Sequence, residues 1–173
     1  MKQESGFTLV ELLIVIGILT SLLLAVGGGW YTWVPGFRLS AAAGDLQGGL
    51  QLAKLKAIKE NSVVTVNLSV GSAPAPPAIT YIAFVDVNGN GTQDAGDQTI
   101  ITETFHQSIS LHASSDTQIQ LNSRGFPIEP DPTDYPRNLR MIVGQKGRGI
   151  EINAAGGVTM QQSDNSGGSW QNL

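Results

Sequence analysis

The sequence predicts an α+β protein in which a long N-terminal helix packs on an antiparallel, β-rich globular domain. Three observations support this: an apolar run over residues 7–26, an amphipathic stretch to about residue 60, and short alternating segments from residue 61 onward. The repeat changes from three or four residues to two, which marks the passage from helix to strands. With 173 residues and no cysteine, the chain can bury a core without disulfides.

The first element is an apolar run that contains one charge. Twenty residues at about 1.5 Å each cover a hydrocarbon core roughly 30 Å thick, so we expect a transmembrane segment over residues 7–26. An ionisable group in such a span costs about 2.5–3.5 kcal/mol on insertion scales, and Glu11 therefore needs a partner. The polar side chains of this run are Thr8, Glu11, Thr20 and Ser21.

Three interpretations fit this N-terminus, and two of them are general. A secretory signal peptide would use Ala25-Val26-Gly27 as its cleavage site, but its apolar core spans only about 7–15 residues and carries no charge. An uncleaved anchor would explain the length and would place Lys2 in the cytoplasm. That interpretation does not explain the charge at Glu11.

The third interpretation is a resemblance carried by the N-terminal motif. Residues 1–6 followed by Phe7-Thr8-Leu9-Val10-Glu11 resemble the class III leader of type IV pilins and type II secretion pseudopilins. The resemblance implies that a prepilin peptidase cuts the Gly6–Phe7 bond and methylates the new amine of Phe7. It also implies that Glu11 pairs with a mature N-terminal amine during assembly. Each buried charge would then offset the desolvation of the other.

Residues 27–60 extend the helix in two steps. Gly27-Gly28-Gly29, each costing a helix about 1 kcal/mol, and the later Pro35-Gly36 predict a glycine-broken extension whose conformation the sequence leaves open. From Phe37 the apolar side chains recur at three- and four-residue steps, which predicts one buried helix face. This face consists of Leu39, Ala43, Leu46, Leu50, Ala53 and Ala57.

The remainder of the chain has the pattern of strands. Alternating segments bounded by glycine and proline predict a globular domain over residues 61–162. Residues 163–173 are rich in serine, glycine and asparagine, so we expect a flexible tail, with Trp170 as a candidate anchor. The predicted strands are Val63–Val70, Ile79–Asp86, Gln98–Thr104, Ile109–Ala113, Gln118–Leu121, Leu139–Val143, Gly149–Ile152 and Gly157–Gln161.

Segments of this domain resemble one branch of the same family, the GspH/FimT-type pseudopilins and minor pilins. They are residues 50–59 with the first strand, residues 84–91, Asn122-Ser123-Arg124-Gly125, and residues 150–156. The resemblance implies a pilin-like fold and a structural, minor subunit of a type II secretion pseudopilus or type IV pilus. Its partners would be other pilin or pseudopilin subunits, the prepilin peptidase, an inner-membrane assembly platform and membrane lipid. The subunit would cross the bacterial inner membrane once, with its globular domain in the periplasm or outside.

A run of oxygen-bearing side chains follows the second predicted strand. Its members stand at the ligand positions of an EF-hand-type calcium loop, with Gly91 at position six. Against this, the last ligand is aspartate rather than a bidentate glutamate, and Asn-Gly pairs are strong hairpin turns. A metal-free turn is the default, and Ca²⁺ is the alternative. The candidate ligands are Asp86, Asn88, Asn90, Thr92, Asp94 and Asp97.

No pattern of an enzyme is present in the sequence, and we expect no catalytic activity. His106 and His112 lack a patterned carboxylate or serine partner, and there is no thiol. The alternative function is a DNA-binding tip pilin for DNA uptake, since some FimT-like pilins bind DNA through an arginine-bearing turn. The net charge of −4 opposes it, because DNA binders carry a basic footprint. The candidate side chains are Arg124, Arg137, Arg140, Lys146 and Arg148.

Overall fold

The computed structural model describes residues 7–71, 77–128 and 135–173, apart from the side chains of residues 25–32. The leader expected at residues 1–6, including Gly6, lies outside the described residues. The chain divides into two compact units, Met1–Pro35 and Gly36–Leu173.

One helix, α1, runs from Leu9 to Glu60. Its backbone is helical through the three glycines and Pro35, the segment whose conformation the sequence leaves open. Glycine weakens a helix without forbidding its dihedral angles, and a proline removes one N–H donor without ending every helix. The sequence predicted a transmembrane segment over residues 7–26. Among the residues described, no helix combines the length and the hydropathy that crossing a membrane requires.

The C-terminal end of α1 is closed by Asn61. This residue has a left-handed φ of 51°, and the N–H of Ser62 donates to the Ala57 carbonyl at 3.2 Å. That bond is the one a Schellman motif uses to satisfy a carbonyl of the last turn. The first strand then begins at Val63.

Ten strands follow in the described residues, and they form two antiparallel sheets. The strands are β1 (Val63–Val70), β2 (Ile79–Asp86), β3 (Gln98–Thr104), β4 (Ser110–Leu111), β5 (Gln118–Leu121), β6 (Pro127–Ile128), β7 (Arg137–Val143), β8 (Lys146–Ile152), β9 (Val158–Ser163) and β10 (Gln171–Asn172). The first sheet has the order β3-β2-β1-β5-β6 and the second has the order β10-β9-β8-β7-β4.

The predicted strands β1, β2, β3 and β5 are confirmed with their predicted bounds. Strands β4, β7, β8 and β9 lie where strands were predicted, with shifted ends, while β6 and β10 were not predicted. The flexible tail expected at residues 163–173 is wrong. Ser163 belongs to β9, and β10 pairs with β9 through Gln171 opposite Gln162. Both missed strands have two residues, too few to show alternation.

One hydrophobic cluster joins the second unit's part of α1 to both sheets. All six side chains of the predicted helix face are at most 1 % exposed, which confirms that face. Val66 of β1 and Tyr81 of β2 supply buried side chains from the first sheet. Leu139 of β7 and Ile150 of β8 supply them from the second.

Gly49 lies where α1 passes over Tyr81. A Cβ at position 49 would collide with the Tyr81 hydroxyl and would lie 2.8 Å from its ring Cε1. Burial raises the pKa of Tyr81 far above its ordinary value, and among the described residues its hydroxyl has no hydrogen-bond partner. The glycine therefore makes room for a fully buried aromatic ring beneath the helix.

Lys54 connects α1 to one turn of each sheet. Its Nζ donates to the Gly156 carbonyl at 2.9 Å, in the turn between β8 and β9. Its side chain also packs on Gly125, in the turn between β5 and β6, where an added Cβ would lie 2.6 Å from Lys54 Cγ. Both glycines have positive φ, 77° at Gly125 and 71° at Gly156. The two turns therefore close against the same lysine.

Candidate functional site

Thr8 and Glu11 form a reciprocal cap at the start of α1. Glu11 Oε2 accepts from the backbone N–H of Thr8 at 3.2 Å and from its hydroxyl at 3.1 Å. The Glu11 N–H donates to Thr8 Oγ1 at 3.3 Å. Thr8 directly precedes the first helical residue, so the pair has the arrangement of a capping box. Glu11 thus has a task within its own chain, contrary to the expectation for a plain anchor.

The cap keeps a carboxylate at the head of the apolar helix. Phe7 directly precedes Thr8, so a cut at the Gly6–Phe7 bond would leave a new amine one residue from the site that Glu11 binds. Thr8 is missing from the predicted site residues. The signal that could have identified it is Thr-x-x-Glu directly before an apolar run.

The apolar side chains of α1 are exposed from Leu9 to Leu24, as is Phe7 before the helix. Phe7 is 84 % exposed, Leu23 71 % and Leu24 80 %. A helix that is apolar on every side is normally buried among other helices or in lipid.

A second apolar feature, the outer stripe, lies on α1 within the second unit. At 100° per residue its members fall opposite the buried helix face, and all are exposed. Leu52 is 44 % exposed and Leu55 is 64 % exposed. A Cβ on Gly44 or Gly48 would meet nothing within 4 Å, so another helix could approach closely there. The outer stripe consists of Ala41, Gly44, Gly48, Leu52 and Leu55.

Asp86 organises the loop that connects β2 to β3. Its Oδ1 accepts from the N–H groups of Gly89 at 2.6 Å and Asn90 at 3.2 Å. Its Oδ2 accepts from the Gly91 N–H and the Thr65 hydroxyl, both at 2.8 Å. Burial by itself raises the pKa of this carboxyl, but the bonds from Thr65 and the three N–H groups outweigh burial and hold the pKa below its ordinary value.

The same loop is tied to the outer face of the first sheet. The Gly91 carbonyl accepts from the side-chain amides of Gln118 at 2.6 Å and Asn67 at 3.3 Å. Thr92 bonds to Asn90 Oδ1 through its N–H at 2.7 Å and its hydroxyl at 2.8 Å. The loop thus lies over β1 and β5.

The other candidate calcium ligands bond to each other or to the loop backbone. Asp94 Oδ2 accepts from the amides of Asn88 at 2.9 Å and Asn90 at 2.8 Å. The two oxygens of Asp97 accept from the N–H groups of Val87 at 3.0 Å and Asp94 at 2.8 Å. Across residues 7–71, 77–128 and 135–173, no three histidine, cysteine, aspartate or glutamate side chains converge as a metal site. The described geometry is that of a hydrogen-bonded turn, and calcium binding stays a prediction.

The five basic side chains of the DNA alternative are not brought together. Met141 of β7 lies opposite Arg148 of β8, so Arg140, the neighbour of Met141, is directed to the other face of that sheet. Arg124 belongs to the turn between β5 and β6 of the first sheet. Lys146 starts β8. These five residues therefore do not all lie on one face of one sheet.

Three of these five side chains bond within the fold, and one of them, Arg148, donates through Nη1 to the Gly147 carbonyl at 3.2 Å. Arg137 Nη2 lies 3.4 Å from Asp116 Oδ1. Arg140 donates to Gln161 Oε1 and to Ser114 Oγ, each at 3.1 Å. Burial lowers the pKa of Arg140, and the nearby carboxylates of Glu151 and Asp116 oppose that shift.

The C-terminal segment lies on the outer face of the second sheet through Trp170. Added Cβ atoms at Gly147 and Gly149 would lie 2.8 Å and 3.2 Å from the indole ring, so both glycines make room for it. The Arg140 guanidinium carbon lies 4.8 Å from the indole centroid, within the range of a cation–π contact. The ring of His112 meets the indole edge-on, with centroids 5.7 Å apart.

Both histidines bond to the backbone two residues ahead. His106 Nδ1 accepts from the Ser108 N–H at 3.1 Å, and His112 Nδ1 accepts from the Ser114 N–H at 3.2 Å. Each Nδ1 also lies within hydrogen-bond distance of the serine hydroxyl, at 2.9 Å and 2.8 Å respectively. Both rings therefore close local turns.

Comparisons with known proteins match both parts of the chain. Residues 42–156 match the family model of the type II transport protein GspH, and residues 1–27 match the prokaryotic N-terminal methylation motif. No curated protein matches the chain. The crystal structure of the type IV minor pilin FimU from Pseudomonas aeruginosa (strain PAO1) matches with a TM-score of 0.53 and 15 % identity. The match covers 82 % of this chain and 96 % of that chain, and it establishes the fold.

Proposed function

Because this chain belongs to the GspH family, as its match over residues 42–156 shows, we propose that it is a processed, assembled minor subunit of a type II secretion pseudopilus or a type IV pilus. The N-terminal methylation motif and the pilin fold support this proposal. A prepilin peptidase would cut the Gly6–Phe7 bond and methylate the amine of Phe7. The role is structural and requires no catalysis by the chain itself.

The observation that carries the proposal is a charged cap on an exposed apolar helix. Glu11 Oε2 is held at the Thr8 N–H, at 3.2 Å, and the described apolar side chains from Phe7 to Leu24 are exposed. Such a surface is stable in lipid or among other apolar helices, and in water it would aggregate. We propose that the inner membrane holds the subunit before assembly, that an assembly platform extracts it, and that neighbouring subunits then cover the helix.

Glu11 would align the subunit with its neighbours as the helix enters the filament. A carboxylate among apolar helices is costly unless an opposite charge lies beside it, and a mature N-terminal amine is such a charge. The capping box places the Glu11 carboxylate at the very start of the helix, where an incoming or neighbouring amine can reach it. The outer stripe gives the neighbours a second surface, because its glycines allow close helix approach.

Three variants separate the charge of Glu11 from its capping bonds. Glutamine can also serve in a capping box, so Glu11→Gln keeps the cap and removes the charge. Thr8→Ala removes the capping hydroxyl and keeps the charge, while Glu11→Ala removes both functions of Glu11. We expect Glu11→Gln and Glu11→Ala to be processed normally but absent from sheared filaments, and Thr8→Ala to be incorporated.

The measurement is an immunoblot of membrane and filament fractions, with the mass of the membrane-extracted protein as the readout of processing. Normal incorporation of Glu11→Gln would show that Glu11 acts as a cap and would refute the charge pairing. A mature mass that retains the six leader residues would refute processing at Gly6–Phe7.

A further inference from the structure

The outer edge of the first sheet is long and open. Strand β3 pairs with β2 on one side, and no described strand pairs with its other side. It has seven residues, whereas the strands at the other three sheet edges, β6, β4 and β10, have two residues each. The described fold thus ends three of its edges in short strands and leaves one full-length edge.

The backbone of this edge presents hydrogen-bonding groups outward. The Phe105 N–H donates to the Ile79 carbonyl at 2.9 Å, which fixes the phase of the β2–β3 ladder. Inward and outward pairs alternate along an antiparallel ladder, so Glu103 bonds inward. The N–H and C=O groups of Thr102 and Thr104 are therefore directed away from β2.

Of the features that normally block strand addition, lysine and proline are absent from this edge strand. Proteins protect exposed edges with lysine, proline, bulges or covering segments. Strand β3 does contain one bulge, at the register shift opposite Ala83 and Phe84, and one charged side chain, Glu103. The bulge precedes the regular pairing of Ile101–Thr104, which leaves that part of the edge regular. Thr102, Glu103 and Thr104 are exposed.

The strands of the first sheet carry acidic side chains and no lysine or arginine, and Arg38 of α1 lies beyond the end of β3, 3.4 Å from His106. Between Glu60 and Arg124 the sequence contains no lysine or arginine. That stretch includes β1, β2, β3 and β5 and the loop that connects β2 to β3. Glu103 on β3 and Asp94 in the loop are exposed. The acidic side chains of the stretch are Asp86, Asp94, Asp97, Glu103 and Asp116.

We propose that β3 is a docking edge for an extended, basic segment of a partner protein, which joins the first sheet as an additional strand. Backbone bonds to Thr102 and Thr104 would supply the pairing, in the way that exposed edges bind peptides. Lysine or arginine beside Glu103 would supply the charge match. This site lies on a sheet edge and does not depend on the role of α1 in assembly.

The test uses the full-length chain in detergent and two end-blocked peptides, KVTVTVK and its acidic counterpart EVTVTVE. Hydrogen exchange followed by mass spectrometry would report protection of residues 98–105. We expect KVTVTVK to slow exchange there and EVTVTVE to bind about tenfold more weakly, because charge repulsion disfavours the wrong partner. Both peptides have the same strand-forming centre, so the comparison isolates charge.

Two variants at one position separate the contribution of the backbone N–H from that of the side chain. Thr102→Pro removes an N–H that faces solvent, and an edge strand tolerates proline at such a position. Thr102→Val keeps the N–H and replaces the hydroxyl by a methyl group. We expect Thr102→Pro to lose KVTVTVK binding and Thr102→Val to retain it. Thermal unfolding would verify that both variants are folded.

Glu103→Lys keeps the proposal testable should Thr102→Pro unfold. It should weaken KVTVTVK binding about threefold to fivefold, the effect of an exposed charge pair, and strengthen EVTVTVE binding. The proposal is overturned if KVTVTVK leaves residues 98–105 unprotected, if both peptides bind equally, or if folded Thr102→Pro binds like the wild type.

Discussion

Asp86 is 2 % exposed and accepts hydrogen bonds from five groups, three in its loop, one on β1 and one on β5. Because its pKa is lower in the folded state than in the unfolded chain, the carboxylate stabilises the fold above about pH 4, near the ordinary aspartate pKa. This contribution is lost as the pH falls through the folded-state pKa. Through Asp86, the hydrogen bonds of the β2–β3 loop therefore make the free energy of unfolding depend on pH in the acid range.

The variant Asp86→Asn should lower the free energy of unfolding at pH 7 by about 1–3 kcal/mol, since it places an amide among N–H donors. The difference from the wild type should shrink below about pH 4, where Asp86 of the unfolded chain takes up a proton before the folded carboxylate does. Urea unfolding at a series of pH values measures both effects. A difference that stays constant down to pH 2 would show that the Asp86 charge contributes nothing.

Gly49 and Gly44 lie on opposite faces of α1, and alanine at each should have opposite effects. Gly49→Ala places a methyl group against Tyr81 and should destabilise the domain by about 1–3 kcal/mol, as overpacking does. Gly44→Ala meets nothing within 4 Å and should stabilise it by about 0.5–1 kcal/mol through helix propensity. Thermal unfolding of the two variants side by side measures this. Equal shifts would mean that Tyr81 moves aside without cost.

At the residue scale the sequence predicts well where a rule is local and periodic. The buried face of α1 could be predicted because Leu39 to Ala57 follow the helical repeat. Tyr81 could be placed in a strand, but not under Gly49, because that contact joins residues far apart in the chain. Thr8 was accessible to prediction, since its capping signal is local.

The C-terminal segment shows how a polar element can be ordered by one anchor. Trp170→Ala should lower the free energy of unfolding by about 1–3 kcal/mol, less than a fully buried tryptophan, and should expose residues 163–173 to protease. Trp170→Phe keeps an aromatic ring over Gly147 and should lose less. Limited proteolysis with mass spectrometry provides the readout. An unchanged cleavage pattern in Trp170→Ala would show that β10 is held without the indole.

The loop of residues 87–97 should be formed equally well with and without calcium. Its carboxylates already accept hydrogen bonds from the loop, so neither EDTA nor CaCl₂ should shift the melting temperature. If calcium were bound, a free Ca²⁺ concentration of 100 times the Kd would raise the free energy of unfolding by about 2.7 kcal/mol, which is readily measured. A rise in melting temperature with Ca²⁺, absent in Asp94→Asn, would establish the calcium loop instead.

Elements with a clear alternating pattern could be located from the sequence, and elements formed by pairing alone could not. Strand β1 alternates apolar and polar residues from Val64 to Val70, and β2 alternates buried and half-buried residues from Ile79 to Ala83. Both ends of each strand were predicted correctly. Strand β6 begins with Pro127, which argues against a strand in isolation, and β10 forms because β9 and Trp170 position it. In both cases the partner strand, rather than the local sequence, determines the conformation.

For the whole molecule, the fold separates a surface that stabilises the monomer from surfaces left for partners. Leu55 is 64 % exposed on the outer stripe, so Leu55→Glu should change the free energy of unfolding by less than about 0.5 kcal/mol. It should nevertheless reduce incorporation into filaments, because a charge then enters the proposed helix–helix contact. Val87→Glu, at a 72 % exposed apolar residue on the loop, is the matched control.

Filament fractions and purified protein from the same cells would measure both properties. Equal incorporation of Leu55→Glu and Val87→Glu would remove the outer stripe from the assembly surface. An unfolded Leu55→Glu protein would instead show that Leu55 stabilises the monomer, contrary to its exposure.

Lys54 has a mechanical consequence. It bonds to Gly156 beside the second sheet and packs on Gly125 beside the first, so tension applied to this part of α1 would reach a turn of each sheet through this side chain as well as through the shared core. Separating either sheet from the helix would then disturb the contact of Lys54 with the other sheet. Under force the domain should yield in one step, and Lys54→Met, which keeps the stem but loses the bond to Gly156, should let the second sheet detach first.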